Sequence, residues 1–334
     1  MSPPARLVGD GVENPANAEA LAEAARMFAV PCGFRDSRGL AAHLPDLSTV
    51  TTAALLGGAD PLIAVDNTPG AESVYRAGPL RGRASIVVGN ERRGIRPDVL
   101  RAAARTVQIP MPGRGVNTLN VATAAAVALY YLLDAHGRRQ ARAPRPESHR
   151  PTLLLAAPRD HVEAGSSLRS AAAFGWQTVM ADDREKVWFG TPRPIRAEAR
   201  AAARSHRNPL RVVPAGDAWS SRAGSRVIVC APDVDGPPLH HAKLTGSSTV
   251  LVIPDGDGWE PPPDAEFARV TVPGEPGRYR LVTGIVLAET ARQLGTRTVT
   301  ARRPPRRGLS YSSMLGHTAL PNTDLVHPWE LTAY

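Results

Sequence analysis

The same order of strand and helix patterns occurs twice along the chain, and this repeat limits the folds open to it. Each block contains an apolar run, an alanine-rich helical pattern, a β-branched run ending in a polar turn, a short run ending at a proline turn, and an apolar helical pattern. These segments lie at 6–8, 17–30, 85–94, 107–115 and 121–133 in the first block, and at 153–156, 164–176, 249–258, 270–277 and 282–294 in the second. Strands alternating with helices indicate an α/β domain with a parallel sheet. The repeat therefore predicts a duplicated α/β domain.

Two arginine-rich stretches divide the chain. Residues 136–150 contain five arginines, two prolines and almost no apolar side chain, which is typical of an exposed linker. The segment 296–334 is first basic and then aromatic, without clear periodicity. We therefore predict a first domain at 1–135, a basic linker at 136–150, a second domain at 151–295 and a C-terminal tail at 296–334.

Composition narrows the class of protein. The chain has 334 residues, 43% of them hydrophobic, which is enough for two cores. Its longest apolar run is too short to cross a membrane, and no basic-then-apolar leader opens it, so a soluble cytoplasmic protein is expected. Neither the two cysteines nor the adjacent His240 and His241 have metal-ligand spacing, so no metal is predicted. The net charge of +9 favours a polyanionic partner.

Three motifs follow predicted strands of the first block. They are Val87–Ile95, Ile109–Gly113 and Asn117–Val121, and the first two are strand ends that run into glycine-bearing turns. In open α/β sheets the ligand lies beyond the carboxyl ends of such strands. Neither a Gly-x-Gly-x-x-Gly run nor a Gly-Lys-Ser/Thr loop is present, which argues against a dinucleotide or a nucleoside triphosphate.

These residues resemble the cofactor motifs of the SpoU/TrmH branch of the SPOUT superfamily, which contains S-adenosylmethionine-dependent RNA 2′-O-ribose methyltransferases. The Asn-Glu-x-x-Gly turn and Ile-Pro-Met are intact, and the third motif has Thr118 in place of serine. The resemblance implies an α/β-knot domain with a deep trefoil knot, an exception to the rule that chains do not thread loops. It implies S-adenosylmethionine as the cofactor, bound by Val88, Gly89, Asn90, Gly94, Ile109, Met111, Thr118 and Leu119.

The two halves have lost different parts of the family's pattern. The first motif of the family has an asparagine and, six residues later, an arginine. The first block keeps Asn17 but has Glu23 at the arginine position, whereas the second block keeps Arg169 but has Glu163 at the asparagine position. The cofactor motifs of the second block are degraded at 253–258, 272–274 and 280–282.

In the family the enzyme is normally a homodimer, and this arginine is available to the cofactor of the partner. The resemblance thus implies two tandem knotted domains packed as an intrachain pseudo-dimer, in which the second knot is degenerate. A single active site would form where Arg169 reaches the cofactor held by the first domain. The alternative is that Glu23 marks a dead site and Arg169 is a surface arginine.

The resemblance also suggests catalytic roles. An arginine does not normally lose its proton, so Arg169 is expected to clamp a phosphate and stabilise charge on the attacking oxygen. Glu91 and Asn120 are then the candidates to accept the proton or orient the substrate, with help from Asn17. For Glu91, capping of a backbone turn is the alternative.

The leading prediction is methylation of an RNA, either rRNA or tRNA. The enzyme is expected to be a pseudo-dimeric monomer or a dimer of such monomers, and no membrane contact is expected. The alternatives are a methyltransferase for a small molecule or peptide and a catalytically silent RNA-binding protein. Trp176, Trp188 and Phe189 could stack on bases, although core packing is the other interpretation for Trp176. Arginines spaced at three and four residues within 193–207 could contact phosphates or form a solvated helix face.

Overall fold

A computed structural model of the chain describes most of both predicted domains. The described residues are 5–35, 40, 48–112, 118–133, 149–192, 210–216, 224–256 and 258–295. The predicted C-terminal tail, the arginine series at 193–207 and nearly all of the predicted linker lie outside them.

The first half forms a six-stranded sheet with helices on both faces. Its elements are β1 Ala5–Asp10, α1 Pro15–Met27, β2 Cys32–Arg35, α2 Thr52–Leu56, β3 Leu62–Val65, β4 Glu72–Ser73, β5 Ala84–Gly89, α3 Pro97–Ala102, β6 Arg105–Gln108 and α4 Val121–Leu132. The strand order is β2-β1-β5-β3-β6-β4, and all neighbouring strands are parallel. Leu7 of β1 pairs with Ile86 of β5, and both side chains are fully buried in the interior of the sheet.

The second half forms another six-stranded sheet. Its elements are β7 Thr152–Ala156, α5 His161–Ala173, β8 Thr178–Asp182, β9 Arg211–Pro214, β10 Arg226–Ala231, β11 Thr249–Pro254, β12 Glu266–Arg269 and α6 Tyr279–Gln293. The order is β12-β10-β11-β7-β8-β9, again with parallel neighbours. The predicted α/β class with parallel sheets is therefore confirmed.

Five strands of each half follow the same order. Read from β2, the first sheet runs β2-β1-β5-β3-β6, and read from β8 the second runs β8-β7-β11-β10-β12. Numbered along the chain within each set of five, both read second, first, fourth, third, fifth. An origin by duplication and the trefoil knot stay predictions.

The helix ends follow from their capping residues. The Asn14 side chain accepts the N–H of Ala16, and Pro15 stands at the first helical position, so α1 begins before the predicted 17–30 segment. The helix ends at Met27, shortly before Ala29, which has a φ of 52°. In the second half the Asp160 carboxylate accepts the N–H groups of Val162 and Glu163, so α5 also begins before its predicted start.

The last strand differs from the prediction, which placed it within 270–277. It ends at Arg269, because its partner β10 ends at Ala231 and Pro273 has no N–H to donate to a ladder. In the described part of the chain no helix combines the length and the apolar character required to span a membrane.

The two halves share one hydrophobic core. Helices α1 and α4 cover one face of the first sheet. Helices α5 and α6 pack on each other, and their buried apolar side chains form one cluster with those of the second sheet. α4 packs on α6, and one cluster of buried apolar side chains extends from Leu7 and Leu129 to Ile285 and Leu153. The outer face of each sheet has its own smaller cluster, around Val87 in the first half and Val252 in the second. The helical layer therefore sets how the halves meet.

Candidate active site

A pocket lies at the carboxyl ends of three neighbouring strands of the first sheet, namely β5, β3 and β6. All of its lining residues among the described part of the chain belong to the first half. The lining residues are Val65, Asp66, Asn67, Val88, Gly89, Asn90, Glu91, Arg92, Gly94, Ile95, Ile109, Met111, Thr118, Leu119, Val121 and Ala124. Apolar side chains form much of the wall, and carboxylate, amide and hydroxyl groups are added to it. Parallel α/β sheets bind their ligands at this edge.

The side chain of Asn90 holds the turn that forms one wall of the pocket. Its Nδ2 donates to the carbonyl of Gly11 at 2.7 Å, and its Oδ1 accepts the N–H groups of Arg92 at 2.9 Å and Arg93 at 3.1 Å. The Asn90 carbonyl accepts the N–H of Gly94 at 2.7 Å. One side chain thus ties the turn after β5 to the loop after β1.

Two glycines permit this turn. Gly94 has a φ of 69°, a left-handed conformation that side chains with a Cβ rarely adopt. A Cβ on Gly89 would overlap the backbone of Gly94 and Ile95, which folds back across the end of β5. The spacing of the two glycines in the motif therefore has a structural cause in the turn itself.

A buried ion cluster supports the segment after the turn. The carboxylate of Asp10 accepts the backbone N–H of Arg96 at 2.9 Å and the Nε of Arg35 at 2.8 Å. Arg35 is 2% exposed and also binds Asp98 at 3.0 Å, near the start of α3. The hydrogen bond from Arg35 lowers the pKa of Asp98 below its usual value. This cluster joins the carboxyl ends of β1 and β2 to the chain that leaves the pocket.

Three of the predicted catalytic side chains form one hydrogen-bonded chain. The Nδ2 of Asn120 donates to Asn17 Oδ1 at 3.0 Å and approaches Glu91 Oε1 at 3.3 Å. The Oδ1 of Asn120 accepts the N–H of Ala122 at 2.9 Å and caps α4. Both polar atoms of this amide are engaged, and an amide is not basic, so the geometry suits Asn120 to hold Glu91 and not to accept a proton. Glu91 is exposed, and its carboxylate is the basic group of the three.

The fourth predicted catalytic residue comes from the other half. Arg169 lies on α5, and its Nη2 donates to the Oγ1 of Thr118 at 3.0 Å. Thr118 lines the pocket, so the guanidinium of the second half is at the wall of the pocket built by the first. Arg169 is not a fully exposed surface arginine: it is partly buried.

Two further ion pairs lie at the corresponding positions, one between the halves and one within the second half. Glu23 of α1 forms an ion pair with Arg278, at the start of α6. Arg280 lies 3.3 Å from the carboxylate of Glu163, and its backbone N–H donates to the same carboxylate at 3.0 Å. Glu23 and Glu163, at which the first and the second half depart from the family's first motif, are therefore each paired with an arginine.

All eight residues predicted to bind the cofactor line the pocket, and Glu91 lines it as well. Sequence reasoning missed the segment Val65-Asp66-Asn67 at the end of β3. The signal was present, because an apolar run from Leu62 to Val65 ends in Asp and Asn at the carboxyl end of a buried strand.

Two of the three aromatic candidates for base stacking are in the core, and the third, Phe189, is partly buried and packs against it. Trp176 is 2% exposed and Trp188 is 1% exposed, so stacking of bases on either ring, raised as one interpretation, is wrong. The Nε1 of Trp176 donates to the Pro151 carbonyl at 3.1 Å, and the guanidinium of Arg150, the last residue of the predicted linker, lies over its ring. Among the residues with described positions, no group of three or more His, Cys, Asp or Glu side chains could hold a metal ion.

The first half has a parallel sheet with a partly apolar pocket at the carboxyl ends of its strands, which is typical of ligand-binding α/β domains. The turn held by Asn90 stands where many such domains have a phosphate-binding loop. The model of the SpoU rRNA Methylase family matches residues 4–130, within the predicted first domain. Residues 4–130 of the chain thus match the SpoU rRNA Methylase family.

Solved structures similar to this chain include three methyltransferase-related proteins. A TrmH-family protein from Porphyromonas gingivalis is 22% identical, with 41% of this chain and 61% of that chain covered and a TM-score of 0.34. A structure solved to give insight into the 2-OH methylation of C/U34 on tRNA is 30% identical, with 38% of this chain and 91% of that chain covered and a TM-score of 0.32. The AdoMet-bound rRNA methyltransferase from Sinorhizobium meliloti is 18% identical, with 39% and 56% covered and a TM-score of 0.33.

The chain thus spans 61% of the length of the Porphyromonas protein and 91% of the length of the protein from the C/U34 tRNA study. No curated protein matches the chain.

Proposed function

We propose that this chain is an S-adenosylmethionine-dependent RNA methyltransferase that modifies a ribose 2′-hydroxyl at one active site formed between its two halves. The contact that carries the proposal is the hydrogen bond from Arg169 of the second half to Thr118 on the pocket wall of the first. The proposal includes the intrachain pseudo-dimer and the trefoil knot that the sequence resemblance implies. The family match of residues 4–130 supports the type of chemistry.

The chemistry of the pocket fits S-adenosylmethionine. Val88, Ile109 and Leu119 provide an apolar wall suited to an adenine ring and the carbons around a sulfonium. The carboxylate of Asp66 and the amide of Asn67 are acceptors for ribose hydroxyls or an ammonium group. We assign the cofactor to these residues and to the predicted set Gly89, Asn90, Gly94, Met111 and Thr118. When bound, the cofactor would supply a methyl group already activated by the sulfonium charge.

The residues of the chain supply positioning and proton transfer. Arg169 keeps its proton, so it would bind the phosphate next to the reacting ribose through paired N–H groups and stabilise the negative charge developing on the attacking oxygen. Glu91 would accept the hydroxyl proton. Asn120 holds the Glu91 carboxylate, and Asn17 holds Asn120 from α1.

An RNA substrate agrees with the charge of the protein. The chain carries a net charge of +9, and the pocket wall includes the exposed Arg92. Neutralisation of RNA phosphates by such groups releases counterions and makes binding strongly dependent on salt. A small molecule makes few phosphate contacts and would show little salt dependence.

The test is transfer of tritiated methyl groups from S-adenosylmethionine to total cellular RNA and, separately, to a small-metabolite extract of the same cells. We expect label in RNA at the 2′-O position of a nucleoside, identified after nuclease digestion. Label found only in the extract would show that the substrate is a small molecule and not RNA. If neither label nor cofactor binding is detected, the protein is catalytically silent.

The substitution Arg169→Ala tests the shared site. We expect kcat to fall by at least about a hundredfold, because the guanidinium acts on the transition state. The cofactor Kd, measured by calorimetry, should change little because the pocket lies in the first half. Arg184→Ala is the control, since Arg184 is an exposed arginine of the same half that pairs with Asp182. Unchanged turnover in the Arg169 variant would contradict the proposal.

A further inference from the structure

The contacts between the halves occur at two equivalent positions that carry different charges. At one position Arg169 of α5 meets Thr118, before α4. At the other, Glu23 of α1 meets Arg278, before α6. Glu23 and Arg169 each follow the first residue of their motif by six positions. The equivalent contact is therefore a hydrogen bond from a guanidinium to a neutral hydroxyl in one place and an ion pair in the other.

The neighbouring pair differs in the same way. Asn17 accepts a hydrogen bond from Asn120 in the first half, whereas Glu163 pairs with Arg280 in the second. Arg278 also lies 4.0 Å from Glu163. Two carboxylates and two guanidinium groups thus meet in one junction cluster, which consists of Glu23, Glu163, Arg278 and Arg280. Its formal charges cancel.

The cluster is partly withdrawn from solvent. The side chains of Arg280 and Glu163 are 4% and 13% exposed, whereas those of Glu23 and Arg278 are 18% and 40% exposed. Burial raises the pKa of Glu163 above its usual value, in opposition to the arginines. Buried ion pairs of this kind contribute little net stability, and their best-attested use is to select one arrangement over others.

The charges distinguish between pairings of halves. If two first halves packed together, Glu23 would meet Thr118 near the carboxylate of Glu91. If two second halves packed together, Arg169 would meet Arg278, so two cations would be opposed. Only a first half with a second half opposes Glu23 to Arg278 and Arg169 to Thr118. Contacts that oppose like charges in the wrong assembly are a means of specificity.

We propose that the junction cluster is a pairing determinant that selects contact between unlike halves and so positions Arg169 against Thr118. The selection of unlike halves does not depend on the proposed methyl transfer, whereas the positioning of Arg169 rests on it. The residues of the cluster are positioning residues, and they do not line the pocket.

Charge reversal in the full chain tests the proposal. Glu23→Arg opposes two cations, and Arg278→Glu opposes two carboxylates, whereas the double variant restores an ion pair of reversed polarity. In each single variant we expect kcat for methyl transfer to fall by about tenfold or more, because small displacements of a catalytic group are costly. The cofactor Kd should stay within about twofold, because the described lining of the pocket belongs to the first half.

The double variant should recover most of the loss in kcat and in the urea midpoint of unfolding. Sedimentation velocity should show more concentration-dependent dimer in each single variant, since each removes the charge opposition against one pairing of like halves. The control is the same reversal of Arg226 and Glu266, an ion pair within the second half. It should show little coupling in kcat and no change in assembly.

Losses that simply add in the double variant, or an unchanged assembly state in both single variants, would overturn the proposal. If the reversed chains do not fold, the neutral double variant Glu23→Gln with Arg278→Gln replaces them. It should fold and form more dimer, and an unchanged sedimentation profile would again overturn the proposal. If the unaltered chain transfers no methyl group while the assembly changes as expected, the proposed function fails and pairing selection stands.

Discussion

At the scale of single residues, Asn90 shows how a motif position can act through the backbone. Its amide reaches the Gly11 carbonyl after β1 and the N–H groups of its own turn, so its polar atoms are engaged with protein. The residue lines the pocket, and its side chain shapes the wall by holding the backbone around it. An effect of Asn90 on the cofactor is therefore expected to be indirect.

The substitution Asn90→Asp isolates this role. It keeps an acceptor for the turn but places a carboxylate oxygen against the Gly11 carbonyl, so the tie between two loops is lost. We expect the free energy of unfolding to fall by about 1–3 kcal/mol, which is typical of a buried polar group left unsatisfied. The cofactor Kd should rise by about tenfold, equivalent to about 1.4 kcal/mol. Chemical denaturation and calorimetry measure these effects.

Arg93→Ala is the matched control for the turn. Arg93 follows Asn90 by three positions, but its guanidinium pairs with Glu13 in solvent. Its loss should change the stability by less than about 1 kcal/mol. If both variants weakened the cofactor equally, the tie from Asn90 to Gly11 would not be what shapes the wall.

Asp98 provides a prediction on pH dependence. Its pKa is lowered chiefly by the hydrogen bond from Arg35, so the folded state favours the carboxylate. The resulting stabilisation is present above the pKa of the unfolded residue, about 3.9, and is lost as the pH falls through the lower pKa of the folded state. The difference in stability between the unaltered chain and Asp98→Asn should therefore shrink as the pH falls below about 4. Urea titrations at several pH values measure it, and a constant difference would contradict this origin.

At the scale of elements, the crossing of α4 and α6 determines how closely the halves approach. Gly284 of α6 lies against Thr123 of α4, and a Cβ at position 284 would overlap the Thr123 methyl group. Both helices are buried along much of their length. Nearby, Glu289 accepts a hydrogen bond from Tyr131 at 2.6 Å and pairs with Arg292, so the same interface contains a buried polar network.

The substitution Gly284→Ala should destabilise the chain although alanine favours helices. The gain in helix propensity is about 1 kcal/mol, whereas overpacking of a buried contact costs typically about 1–3 kcal/mol. Combining it with Thr123→Ser removes the opposing methyl group and keeps the hydroxyl. We expect the double variant to regain most of the stability in thermal and chemical unfolding. A Gly284→Ala chain as stable as the unaltered one would show that the helices can separate at no cost.

At the scale of the whole molecule, the two halves repeat one strand order but are not equivalent at their ends. The first sheet carries the pocket at the carboxyl ends of β5, β3 and β6. At the corresponding edge of the second sheet, the Tyr279 hydroxyl donates to the Ile253 carbonyl, and Arg159 reaches back to Asp255. Side chains of the second half thus occupy their own strand ends. This arrangement agrees with one site per chain.

Calorimetry with S-adenosylmethionine should therefore give about one site per chain, since a second site would need the motifs that the second half lacks. Asn120→Ala should weaken this binding, because it removes the cap of α4 beside the pocket. Arg280→Met, at the equivalent position of the second half, should leave the stoichiometry and the Kd unchanged. Two sites per chain would contradict the asymmetric arrangement.

Much of this could be predicted because the relevant signals are local. The alternation of apolar runs with alanine-rich helices determined the α/β class, since each pattern reports a buried strand or a helix face directly. The eight predicted cofactor residues line one pocket because turns after parallel strands must meet at one edge. The segment Asp66-Asn67 escaped because its short strand has a weaker pattern, with only four residues.

The sequence alone determined the class of fold, the motifs and the complementary losses at Glu23 and Glu163. Only the tertiary structure decided that Arg169 lies 3.0 Å from Thr118 and that Glu23 meets Arg278. It also decided that Trp176 and Trp188 are buried. The physical reason is that such contacts join residues far apart in the chain. Their distances depend on how α4 packs on α6, which no local periodicity reports.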